Sequence, residues 1–157
     1  MRDYTFRGVS TDGEEVFGNL QITEKTTLGG FFKRQEKDYR IQLEGLEDEV
    51  SVSSESVGQF VTLDAEGNQL YEYDLVKVKR RGEGEGELVC IAILIYSSHQ
   101  FQYILVNVAS GESISLFQAM NSLSVYKIGN AFIDSCCADL DNQFSDDIAT
   151  KILTNQY

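Results

Sequence analysis

Side chains able to act as acid, base, nucleophile or metal ligand are few in this chain, and their spacing suits no shared chemistry. His99 is the single histidine and sits in Ser97-Ser98-His99-Gln100. A multi-histidine metal site is therefore excluded, and a Ser-His pair would need a remote partner; an exposed turn residue is the simpler reading. Cys136 and Cys137 are adjacent, which is not the Cys-x-x-Cys spacing of metal or redox sites. A strand end with one thiol inside and one outside accounts for them. Asp139, Asp141, Asp146 and Asp147 offer oxygen ligands for Ca²⁺, but the loop glycine and closing glutamate of an EF-hand are missing, so helix capping and a solvated acidic face account for them. Glu72 and Asp74, two residues apart, would project on one side of a strand as an acid/base pair requires. Carboxylates so placed more often lie at surfaces or cap turns, and Asp74 is suited to accept backbone hydrogen bonds. The expectation is no catalytic residue, no metal ligand, no cofactor and no enzyme.

Lys77, Lys79, Arg80 and Arg81 form the one basic concentration. With Tyr71 and Tyr73 on the same strand they make a candidate interaction surface, in which cations would meet phosphates and rings would stack on bases. The competing explanation is that these cations guard an edge strand beside an exposed loop, where Glu83, Glu85 and Glu87 weaken the local field.

Composition narrows the classes further. A chain of 157 residues fits one compact domain, or a small barrel plus an appendage, and is long enough to bury roughly 70% of its unfolded surface. Apolar residues make up 42%, with 8 Tyr and 9 Phe, so the expectation is a folded protein. The complete absence of Pro leaves the turns to Gly, Asn, Asp and Ser. Acids outnumber bases 25 to 13, for a net charge of −12, which repels phosphate backbones and disfavours general nucleic-acid binding. The odd cysteine count argues against a disulfide framework and for a reducing cytosol. The N-terminal stretch lacks an apolar signal core, and the run from Leu88 to Tyr96 is too short to span a bilayer; a cytoplasmic, non-membrane location is expected.

The elements follow from turn residues and periodicity. Tyr4 to Leu20 reads as two strands around Thr11-Asp12-Gly13. Residues 21–56 give little signal beyond Tyr39, Ile41 and Leu43. Val57 to Val61 is a strand, Asp64 to Asn68 a turn, and Leu70 to Lys79 a longer strand whose parity slips near Tyr73-Asp74, implying a bend or bulge. Gly82 to Glu87 is an exposed loop. Leu88 to Tyr96, apolar on both parities, is a strand buried on both faces. Phe101 to Val108 and Leu123 to Ile128 are further strands, Ser115 to Met120 a helical turn or two, and a capped helix follows Ser145. These elements form a mainly β, antiparallel architecture that closes or partly closes into a small SH3-like barrel. An N-terminal hairpin and variable segment (1–56), a core (57–132) and a tail (133–157) make up its single domain.

Four blocks carry a family resemblance: Phe6-Arg7-Gly8 with Val16-Phe17-Gly18, then Val57-Gly58-Gln59-Phe60, then Gly67 through Val76, then Ile128-Gly129-Asn130. In order and spacing they resemble the YopX-like family of phage, prophage and mobile-element proteins. Tyr73 stands where that family usually has Gly, Thr62 where a Gly often follows, and the turn before Gly67 is one residue short. If the family's Gly has a positive φ, Tyr73 is strained. The resemblance implies a small β-rich fold and a mobile-element setting; it supplies no catalytic residues.

The leading expectation is therefore a non-enzymatic protein-binding or adaptor module acting on a host or phage protein. The alternatives are a nucleic-acid-binding module using the basic and aromatic strand, and an acidic inhibitor of a host DNA-binding protein. A sheet with open edges also allows a homo-oligomer.

Overall fold

The computed structural model describes residues 5–29, 32–43, 48–82 and 86–132. The helix expected after Ser145, Cys136-Cys137, the Asp139 to Asp147 cluster and the tip of the Gly82–Glu87 loop lie outside the described residues. The mainly β expectation is borne out: strands dominate, in two antiparallel sheets with one short helix, and the sheets are not closed. The chain divides into two compact units between Phe60 and Val61.

In the first unit, β1 (Phe6–Val9), β2 (Glu15–Gly29), β3 (Phe32–Leu43) and β4 (Glu49–Ser51) form a sheet ordered β4-β3-β2-β1. The β1–β2 turn forms where Thr11-Asp12-Gly13 predicts it, because Gly13 takes φ 83° at no steric cost. Phe6 and Arg7 pair with Gln59 and Gly58 at the start of β5 (Gly58–Leu63). Arg7 is fully buried, with Glu15 at 3.4 Å. Gly18 is needed for a different reason. It lies across from β3 so closely that a Cβ would come within 1.9 Å of the Gln42 carbonyl oxygen.

The weak signal of residues 21–56 conceals a long hairpin: β2 pairs with β3 from Gly18↔Leu43 to Gly29↔Phe32. Ile22 and residues 23–26 are exposed. Charge pairing replaces apolar alternation there, with Glu24 and Lys37 directly opposed at 3.5 Å and Lys25 at 3.6 Å from Asp38. Arg40 bridges Asp38 at 3.0 Å and Glu49 at 3.5 Å.

In the second unit, β5 ends at Leu63 and is followed by β6 (Gln69–Tyr71), β7 (Asp74–Arg80), β8 (Leu88–Ser97), β9 (Gln102–Asn107), β10 (Ser113–Ser115), α1 (Leu116–Ser122) and β11 (Leu123–Asn130). The sheet order is β10-β9-β8-β7-β11. The strand expected over Leu70 to Lys79 is interrupted at the predicted place, by a two-residue turn at Glu72-Tyr73 instead of a bulge. β8 is the double-faced strand expected. Ala92 and Leu94 pack with Leu70, Val76, Val78, Leu105, Leu116, Ala119 and Val125. Ile93 and Ile95 pack with Leu75, Ile104, Val106 and Val108. Each fully buried aliphatic side chain contributes about 1.5–3 kcal/mol, so β8, with alternate residues in two clusters, anchors this unit.

Candidate interaction face

The six residues singled out by sequence do not act together. Tyr71 is 1% exposed, which corrects its assignment to an interaction surface. The turn at Glu72-Tyr73 ends its strand and turns the ring inward, where the hydroxyl donates to Gln69 Oε1 at 2.8 Å. Tyr73 is half-buried at φ 67°. Its N–H donates to the Leu94 carbonyl at 2.7 Å, its carbonyl accepts from Ala131 at 3.0 Å, and its ring meets Phe132 edge-on at 5.3 Å. These contacts offset the left-handed conformation.

β7 lies between β8 and β11, so the basic residues occupy an interior strand and the edge-guarding explanation is also corrected. Lys77 and Lys79 lie on one face and place their ammonium groups 5.4 and 5.9 Å from the centre of the Tyr126 ring. Tyr126, opposite Lys77 in the β11 register, is the aromatic partner that sequence reasoning missed; no local spacing discloses a cross-strand neighbour. Arg80 leaves the strand to face Glu87 at 3.6 Å. Arg81 donates to the carbonyls of Met120 and Leu123 at the end of α1, a helix-terminus role. Among the described residues, the cations are thus divided among a ring, a carboxylate and a helix end.

The carboxylates are architectural. Asp74 is fully buried, accepts from the Tyr71 N–H at 2.8 Å and faces Lys127 Nζ at 3.2 Å. Lys127 Nζ also lies 5.8 Å from the centre of the Tyr71 ring. Asp64 binds its own turn through the N–H groups of Glu66 and Asn68, both at 2.8 Å, and reaches β11 through the Lys127 N–H at 2.9 Å. Burial alone would raise its pKa, but these bonds and one from the Asn68 side chain together hold it below the ordinary value. Among the described residues no group of three His, Cys, Asp or Glu could hold a metal ion. His99 is exposed in the β8–β9 turn. Burial pushes the Cys90 thiol up, away from reactive thiolate character.

A different region has the character of a binding face. From Leu88 to Tyr126 the chain carries one formal charge, Glu112, although charged residues make up 24% of the whole. This stretch forms β8, β9, β10, α1 and the start of β11. An open groove of about 390 Å³ lies within it and the end of β5, lined by Val61, Thr62, Gln102, Tyr103, Ser115, Leu116, Phe117 and Met120. Its polar walls bond to each other, Ser115 Oγ donating to Gln102 Oε1 at 3.0 Å, which leaves an apolar lining. Tyr103 packs edge-on against Tyr96 at 5.2 Å. Burial, followed by the charges of Glu72 and Tyr96, pushes its phenol up to about 12.

Two exposed phenylalanines accompany the groove residues in this stretch. Phe117, on α1, is 74% exposed, and Phe101, between β8 and β9, is 82% exposed with φ 53°. A bulky side chain held in the left-handed region costs about 1–3 kcal/mol, and here the ring gains no burial in return. Comparison with family models, curated proteins and solved structures found no match to this chain. No helix among the described residues is long and apolar enough to cross a membrane.

Proposed function

We propose that this chain is a non-enzymatic protein-binding module, and that the charge-poor aromatic face of its second unit receives the partner. The observation that carries this reading is the coincidence of one charge between Leu88 and Tyr126 with an apolar groove and the exposed rings of Phe101 and Phe117. The cores of protein interfaces are depleted in charge and enriched in aromatic residues and Met, and Met120 completes that set at the groove. The YopX-like resemblance supports a mobile-element setting, with a host or phage protein as partner and the bacterial cytoplasm as its location. Photo-crosslinking residues installed in the intact chain at Phe101 or Phe117, and separately at Phe17 in the first unit, test this reading. Adducts from 101 and 117 alone are expected; adducts from 17 alone, or from none, would overturn it.

The nucleic-acid reading has one observation in its favour, the convergence of Lys77 and Lys79 on Tyr126. The engagement of Arg80 and Arg81 elsewhere and the net charge of −12 weigh against it. Gel-shift titration at low salt separates the two readings: retardation of DNA or RNA that is lost in Lys77→Ala/Lys79→Ala would favour nucleic acid.

A further inference from the structure

We infer that the exposed edge of β10 and the charge-poor stretch beside it join two copies of this chain, β10 pairing antiparallel with β10 about a twofold axis. This rests on the protein-binding reading above and names the partner as a second copy. The backbone register gives the first argument. Asn107 N–H donates to the Glu112 carbonyl at 2.8 Å, and Ile114 lies opposite Leu105. In an antiparallel ladder alternate residues exchange hydrogen bonds, so Ile114 bonds to β9 while Ser113 and Ser115 turn their N–H groups the other way. Among the described residues these groups have no partner, and β10 ends the sheet.

The opposite edge differs. β11 is covered by the Asp64 turn, with Ala65 N–H donating to the Val125 carbonyl and Lys127 N–H to Asp64 Oδ2, both at 2.9 Å. The open edge is therefore β10, and its pattern is self-complementary. With the twofold axis at Ile114, Ser113 of one copy faces Ser115 of the other. Ser115 N–H then donates to Ser113 C=O in both directions, which satisfies edge groups that otherwise invite uncontrolled pairing.

Charge supplies the second argument. Two chains of net charge −12 repel, and like charges brought together in an interface are costly. The stretch from Leu88 to Tyr126, which includes β10, carries only Glu112, and antiparallel pairing sends the two copies' Glu112 to opposite ends. Each copy also contributes both an exposed Phe117 ring and a groove, as a two-fold contact requires.

Light scattering of the intact chain from micromolar to submillimolar concentration tests this inference. A twofold rise in mass is expected, with tighter association as salt screens the net charge. Ser115→Pro deletes the donating N–H without removing a β9 bond, at a φ of −56° that proline accepts, and Phe117→Glu places a charge on the face; both should remain monomeric. Should Ser115→Pro fail to fold, amide exchange in the wild type reads the same contact: Ser115 should gain protection with concentration, Ile22 none. A wild type monomeric throughout, dimers that persist in both folded variants, or concentration-independent exchange would overturn the inference. Crosslinks from Phe101 and Phe117 to a different protein, from a monomeric wild type, would end this inference and leave the protein-binding reading standing.

Discussion

Lys127 joins two buried carboxylates by two different groups: its Nζ lies 3.2 Å from Asp74 Oδ2, and its backbone N–H donates to Asp64 Oδ2 at 2.9 Å. One residue of β11 thereby fixes both the β5–β6 turn and the first residue of β7. The motif residues around it hold the fold.

Removing the ammonium while keeping the chain length isolates the first contact. Lys127→Met leaves Asp74, which has no exposed surface, without its cation. We expect a loss of about 3 kcal/mol in urea unfolding, the low end for a broken buried pair, because the lysine is itself 23% exposed.

Asp64 sets an acid limb. Its pKa is lower in the folded chain than the ordinary value of 3.8, so its contribution is complete above that value and is lost as pH falls through the folded pKa. Asp64→Asn should flatten the fall in unfolding free energy below about pH 4, and denaturation at stepped pH measures it.

Tyr73 separates backbone strain from ring packing. Tyr73→Ala loses the contact with Phe132 and keeps a Cβ at φ 67°; Tyr73→Gly loses the same contact and relieves the strain. The glycine variant should be the more stable of the two by about 1 kcal/mol. Equal midpoints of thermal unfolding would refute the assignment of strain.

Tyr103 reports on the groove. Burial pushes its phenol from the ordinary 10.0 up to about 12, so the folded chain retains a proton that the unfolded chain loses, and stability declines as pH rises above 10. Ultraviolet titration should show a late phenolate step that is absent from Tyr103→Phe. A ligand that fills the groove should delay that step further by adding burial.

The legible parts of the sequence were those in which one local force acted alone. Leu88 to Tyr96 is apolar on both parities and forms a strand with two buried faces; Leu116 and Met120, four apart, mark α1; Gly13 marks a turn. The β2–β3 hairpin was obscure because Glu24, Lys25, Lys37 and Asp38 stabilise it by cross-strand charge, and such pairing leaves no apolar alternation. Tyr71 was misassigned because two residues of turn shift the parity of everything after it. The region around the groove is not legible as a unit because its signal is an absence of charge spread over five elements, and only the fold brings Val61, Tyr103 and Phe117 together around one groove.

That absence of charge also explains the surplus of acids elsewhere. Exposed aromatic rings favour non-specific association, and most of the chain's carboxylates lie outside the stretch that carries Phe101 and Phe117. They act as a colloidal stabiliser. Neutralising exposed acids that touch nothing would leave the bound geometry unchanged and lower the concentration at which the free chain precipitates.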